Sequence, residues 1–182
     1  MGDLDRRTYV VTGGNTGIGR ATAAGLASRG AQVYLACRSA GKGQAAAAAI
    51  TAATGNQTVS VLPLDLARLD SVRECAAAFR ALGQPLHGLI NNAGLTGRRG
   101  RSTADGFELA FGVDHLDHFA LTAALLDCLT ASAPARVVTV SSDAHYGTAA
   151  MNRNRSSLIS TTGPVNPAAA SRAASPPGSM GR

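Results

Sequence analysis

Thr12-Gly13-Gly14-Asn15-Thr16-Gly17-Ile18-Gly19-Arg20 is the stretch that decides the fold. It follows a β-branched and aromatic run, Thr8-Tyr9-Val10-Val11, and opens a helix-forming segment from Ala21 to Arg29. A glycine turn between a strand and a helix lets backbone N–H groups approach a phosphate. Glycine tolerates positive φ and carries no Cβ to hold the ligand off. The helix start adds unpaired N–H groups and a partial positive charge. The stretch therefore points to a dinucleotide or a related phosphate ligand.

Outward from it, strand and helix patterns alternate as far as residue 142 or so. Strands are expected at Thr8–Val11, Ala31–Cys37, Val59–Leu64, Gly88–Asn91 and Arg136–Val140, and helices at 18–29, 41–53, 68–82 and 105–130. Gly30 stands where a glycine closes the first helix. Such alternation predicts an α/β fold: a Rossmann-type, doubly wound parallel sheet of about five strands. Ligands of such sheets lie beyond the strand C-termini, where the strand order reverses.

Composition agrees with a globular α/β domain. Apolar residues make up 45% and charged residues 15% of 182 positions. Tryptophan is absent and aromatics reach only 4%, so alanine and aliphatic side chains must fill the core. Cys37, Cys75 and Cys128 are odd in number and widely spaced, which reads as buried thiols rather than a disulfide set or a metal site. No long apolar run and no signal-peptide pattern occurs, so a cytoplasmic protein without a membrane segment is expected. The net charge of +6 is uneven: residues 144–182 hold four arginines and no acid. A basic excess confined to a tail reads as a solvated tail, not a nucleic-acid surface. From Gly147 the chain is rich in Ala, Ser, Pro and Gly without periodicity. We therefore divide it into a dinucleotide-binding domain, 1–146, and a disordered tail, 147–182.

Gly13-x-x-x-Gly17-x-Gly19 differs from the Gly-x-Gly-x-x-Gly fingerprint. Combined with Asn91-Asn92-Ala93-Gly94 after the fourth strand, it resembles the short-chain dehydrogenase/reductase family. Ala36-Cys37-Arg38, Leu64-Asp65-Leu66 and Val140-Ser141-Ser142 are similar to its retinol-dehydrogenase-like and WW-domain-oxidoreductase-like members. The resemblance covers residues 6–146 or so. It implies that Gly13, Gly17 and Gly19 form a pyrophosphate turn lined by Asn15 and Ile18. It implies that Asp65 and Leu66 contact the adenine, and that Asn91, Ala93 and Gly94 lie beside the adenosine ribose. Asp65 reads equally well as a helix N-cap. Ser142 matches the serine that hydrogen-bonds the substrate carbonyl oxygen, with a strand-end cap as its other reading. Arg38 ends the second strand, where NAD-preferring sites place an acid for the ribose 2′-OH. A guanidinium can clamp a 2′-phosphate bidentately, which favours NADP(H) over NAD(H).

Two departures from the family stand out. Asp114 holds the position of a family asparagine on the long helix. Its stripe, Phe107, Phe111, Asp114, His118, Leu121 and Leu125, predicts an inward side chain, paired with His118 if charged. Asp117 replaces a family glycine, and His115 and His118 read as partly buried histidines rather than metal ligands. The family's Tyr-x-x-x-Lys is absent: Gly13, Arg38 and Ala150 stand four residues after Tyr9, Tyr34 and Tyr146, and the sole lysine is Lys42. Tyr146 is too close to Ser142 to serve as the family tyrosine.

The resemblance thus implies NAD(P)-linked interconversion of a small-molecule alcohol and carbonyl, impaired in this chain. The alternatives are a non-catalytic dinucleotide-binding or interaction module, or a truncated product of a frameshift or altered splice with no function of its own. An open edge at the fifth strand, with its apolar face uncovered, and an incomplete family dimer interface are also expected.

Overall fold

The structure, a computed structural model, describes residues 2–95 and 100–142 and the short strand 163–164. Strand β1 (Thr8–Thr12) leads through α1 (Gly17–Ser28) to β2 (Gln32–Cys37). Helix α2 (Ala40–Thr54) leads to β3 (Val59–Pro63), and α3 (Leu69–Ala81) to β4 (Gly88–Asn91). A broken helical stretch from Leu109 to Ala131 leads to β5 (Arg136–Thr139). Each expected strand and helix is present within a residue or two, except in that last stretch.

The sheet order is β3-β2-β1-β4-β5-β6, and β1 to β5 are parallel. The chain steps outward from β1 to β3, then returns to the other side of β1 with β4. The strand order therefore reverses between β1 and β4, and the two motif loops emerge at their adjoining ends. Val10 pairs with Tyr34 and Leu89, Val11 with Leu35 and Ile90. Successive residues point to opposite faces. Val10, Tyr34, Ala36, Leu62 and Leu89 face the core shared with α3 and the later helices. Val11, Val33, Leu35 and Ile90 face α1 and α2. That second core is built on small residues, Ala23, Ala27, Ala46 and Ala47, as the aromatic-poor composition requires. Gly30 follows α1 at φ 90°, the left-handed conformation expected of it.

The stretch expected as one helix over 105–130 is interrupted. Thr103 and Phe107 bond to each other through Thr103 N–H to Phe107 O, 2.8 Å, and Phe107 N–H to Thr103 Oγ1, 3.2 Å. Helix α4 (Leu109–Phe111) starts only after Glu108, whose carboxylate caps Phe111 N–H at 2.7 Å. A π-helical turn follows (Gly112–Leu116), then α5 (Asp117–Ala124) and α6 (Leu126–Ala131). One extra residue in a turn rotates the later side chains by about 100°. The expected inward stripe is therefore split. His118, Leu121 and Leu125 are buried, whereas Phe107, Phe111 and Asp114 face outward.

Gly163–Pro164 forms β6, antiparallel to β5, with Pro164 opposite Arg136 and Gly163 opposite Val137. The expected open edge of β5 is thus paired at Arg136 and Val137. The rest of the tail, including Tyr146, lies outside the described residues. On the α1 side of β4 and β5, a groove of about 490 Å³ is lined by Leu4, Tyr9, Leu26, Ile90, Val138 and Val140.

Candidate nucleotide-binding site

The site grows from the C-terminal end of β1. Gly13 (φ 64°) and Gly17 (φ 49°) both take left-handed conformations that other residues rarely adopt. The position a Cβ would occupy on Gly17 meets nothing within 4 Å, so the loop opens onto free space there. A Cβ on Gly19 would run into the Asn92 amide and lie 2.5 Å from Gly13 O. The third glycine therefore lets α1 seat against the loop and against the end of β4. Thr16, the N-cap of α1, makes no side-chain cap, and no acid stands in the first turn. The leading N–H groups of α1 are thus uncapped by side chains and face an anion-binding position. Ile18 is 68% exposed beside them.

Thr12 ties the two motif loops together. Its Oγ1 accepts from Asn92 N–H and Ala93 N–H, each at 2.9 Å. Asn92 Nδ2 donates to Thr12 O at 2.8 Å. With both acceptor sites of Thr12 Oγ1 in use, its own proton is assigned to His118 Nε2 at 2.8 Å, the shorter of its two acceptor contacts, the other being Ile90 O at 3.4 Å. His118 is then neutral with its proton on Nδ1, which faces Asp114 O at 3.4 Å. Burial lowers the His118 pKa in agreement with this; the hydrogen bond to the Asp114 carbonyl opposes the fall, and the nearby His115 adds to it. His118 therefore contacts the Asp114 backbone, and the expected pairing with the Asp114 carboxylate is not formed.

Beyond the loops lies a cleft of about 480 Å³. It brings together Gly13, Asn15, Arg38, Asp65, Leu66, Ala93 and Gly94 from the sequence-predicted set. Arg38 is exposed at the cleft wall, and Lys42, one turn into α2, lines the same wall. Ser39 between them caps α2 through Oγ to Lys42 N–H, 3.4 Å. Asp65 is not the N-cap of α3, which is Arg68. Asp65 Oδ1 accepts from Ala67 N–H at 3.1 Å, an Asx turn before the helix. Leu66 is buried in the core and reaches the cleft only at its edge.

Asn91 is buried beneath the cleft rather than lining it. Its Nδ2 donates to Thr122 Oγ1 at 3.0 Å, and its Oδ1 has no partner among the described residues. Asp114 is exposed, not inward, and Oδ1 accepts from Leu95 N–H at 3.0 Å. Lost hydration at the carboxyl raises the Asp114 pKa, the Leu95 N–H opposes the rise, and the Glu108 charge adds to it. Ser142 is exposed three residues beyond β5. No group of metal-ligating side chains occurs among the described residues, and no helix among them is long and apolar enough to cross a membrane.

The short chain dehydrogenase family profile matches residues 7–154. This chain belongs to that family. Human retinol dehydrogenase 11 is 53% identical over 143 residues, covering 79% of this chain and 45% of that one. The WW domain-containing oxidoreductase of Danio rerio is 48% identical over 143 residues, covering 79% and 35%. Among solved structures, a short chain dehydrogenase from Escherichia coli CFT073 complexed with NADPH superposes with a TM-score of 0.65 at 29% identity, covering 74% of this chain and 57% of that one. The chain spans less than half the length of these curated relatives.

The residues present fit the family's dinucleotide. The glycine loop opens onto space a phosphate can fill, the start of α1 faces it uncapped, and the cleft continues along β2 and β3 to hold a nucleoside. Sequence reasoning assigned no role to Thr12, Asn92 or Lys42. Asn92 lay inside the recognised run and Lys42 one turn beyond Arg38, so both were within reach. Thr12 at a strand end carried no signal of its own.

Proposed function

We propose that these residues form the nucleotide-binding part of an NADP(H)-preferring oxidoreductase that interconverts an alcohol and a carbonyl. We propose further that the 182 residues alone bind cofactor without turning over substrate. The observation that carries the cofactor preference is Arg38, exposed on the cleft wall at the end of β2 with Lys42 beside it. Two cations there suit a 2′-phosphate, and no acid stands at the strand end to accept from a 2′-OH.

In this reading Gly13, Gly17 and Gly19 admit the pyrophosphate to the N-terminus of α1. Asn15 and Ile18 flank it, and Asp65, Leu66, Ala93 and Gly94 border the adenosine, with Asn91 ordering the sheet beneath. Bound nicotinamide would give or take the hydride. Ser142 would donate a hydrogen bond to the substrate oxygen. The proton step needs an acid whose pKa a neighbouring cation lowers. The 182 residues hold no Tyr-x-x-x-Lys for it. Asp114, where the family has asparagine, can accept but not donate when ionised. The free thiols Cys37, Cys75 and Cys128 suit a reducing, cytoplasmic setting.

Fluorescence titration of the 182-residue chain with NADPH and with NADH tests the reading. NADPH is expected to bind more tightly. Arg38→Asp should remove about 1.5–3 kcal/mol of charge-assisted bonding, weakening NADPH roughly 10- to 100-fold and leaving NADH little changed. Unchanged NADPH affinity in the variant would sink the preference, and NADPH-dependent carbonyl reduction by the chain would sink the second claim.

A further inference from the structure

Asp117 is fully buried, and neither of its carboxyl oxygens has a hydrogen-bond partner among the described residues. Its place in the helical stretch explains why. The π turn runs directly into α5, and Asp117 N–H bonds Gly112 O. The preceding N–H groups are engaged in the helix and cannot serve a carboxylate as those at a free helix start would.

Among the described residues no cation pairs with the Asp117 carboxyl, and Arg68, at the start of α3, is exposed. The charges acting on Asp117 are two further acids, Asp105 and Asp65. Asp105 Oδ2 accepts from Leu69 N–H at 2.9 Å, and Asp65 Oδ1 is used by Ala67 N–H, so both are held as acceptors at the start of α3. The two turns are joined by Ala104 N–H to Ala67 O, 2.9 Å. The side of α3 that shares the core with α5 presents Val72, Cys75, Ala76 and Phe79. Burial raises the Cys75 thiol to about 11, so it too is neutral. The remaining charges of α3, Asp70, Arg73, Glu74 and Arg80, are exposed. His118, the next residue, is neutral and committed to Thr12 and the Asp114 carbonyl.

An ionised carboxylate so placed would lack hydration, would find no donor or counter-ion among the described residues, and would face two like charges. We propose that the Asp117 carboxyl is a proton-binding latch: neutral, it lets the start of α5 pack beside the turns that carry Asp65 and Asp105, and ionised, it loosens that contact. Burial first, then Asp105 and Asp65, push its pKa from 3.8 up to about 6. The sign follows. The unfolded chain releases this proton first, so stability is full in acid, falls as pH rises toward 6, and is flat beyond. Buried His118 and half-buried His87, both with lowered pKa, act oppositely, losing stability as pH falls through the histidine range. The difference between two profiles therefore isolates Asp117.

The experiment is urea denaturation of the 182-residue chain and of Asp117→Asn across that range. Relative to the variant, the wild type should lose roughly fiftyfold in folding equilibrium constant between about pH 4 and about pH 7.5. A pH-independent difference would overturn the proposal. Carboxyl-carbon NMR titration of the wild type supplies a second readout that needs no variant. A midpoint near 6 supports the latch, and one in the ordinary carboxylate range, about 3.9, overturns it.

Discussion

Gly19→Ala adds one methyl group at the point where α1, the glycine loop and the end of β4 meet. At an unconstrained helical position this change stabilises by about 1 kcal/mol, because alanine is the better helix former. Here the methyl collides with the Asn92 amide and lies 2.5 Å from Gly13 O. Forcing a methyl into such a space costs about 1–3 kcal/mol. Displacing Asn92 Nδ2 also breaks its 2.8 Å bond to Thr12 O. Leaving a buried polar group unpaired costs about 1–3 kcal/mol more. The net destabilisation is about 3 kcal/mol, roughly a 160-fold change in the folding equilibrium. Urea denaturation measures it directly, and NADPH titration of the same preparation should show weakened binding, because the loop must shift. Gly25→Ala is the control: a Cβ there meets nothing within 4 Å, so this variant should gain about 0.5–1 kcal/mol. If Gly19→Ala proved as stable as Gly25→Ala and bound NADPH equally well, the close approach of loop and strand end would be wrong.

Gly17→Ala should separate binding from stability. With φ at 49° and open space around the added methyl, strain costs only about 1–2 kcal/mol, while the methyl enters the proposed phosphate position and cofactor affinity collapses. Thr12→Val keeps the shape and removes the hydroxyl, leaving Asn92 N–H, Ala93 N–H and His118 Nε2 without their partner. A loss of about 3 kcal/mol is expected by denaturation, with a weaker response to NADPH. His118→Gln should remove its share of the stability lost on the acid side of the profile, leaving the contributions of His87 and Asp117. The wild type loses stability as pH falls below the ordinary histidine value, 6.5, because the buried ring resists protonation, and glutamine cannot titrate.

Much of the site was legible because its signals are local. Gly13, Gly17 and Gly19 mark a strand-to-helix turn, and the structure holds two of them in left-handed conformations and packs the third against Asn92. Strand patterns of β-branched residues found every strand of the parallel sheet. The helical stretch was harder. A π turn leaves no propensity signature, so the 4-3-4 spacing around Asp114 reads as one continuous stripe. The rotation at Gly112–Leu116 places that carboxyl outside and Asp117 inside instead. Thr12 was illegible for a different reason. Its hydroxyl matters only through partners that the sheet topology brings to it, and nothing in its neighbours along the chain names them.

Those partners lie 80, 81 and 106 positions away. Closing such loops costs chain entropy that only a largely assembled sheet can offset. Thr12 therefore becomes a late event in folding: β1, α1 and β2 can collapse early, yet the two motif loops stay unjoined until β4 is in place and α5 has docked. A nucleotide held across that junction would report completed assembly, and local opening of the fold should begin there.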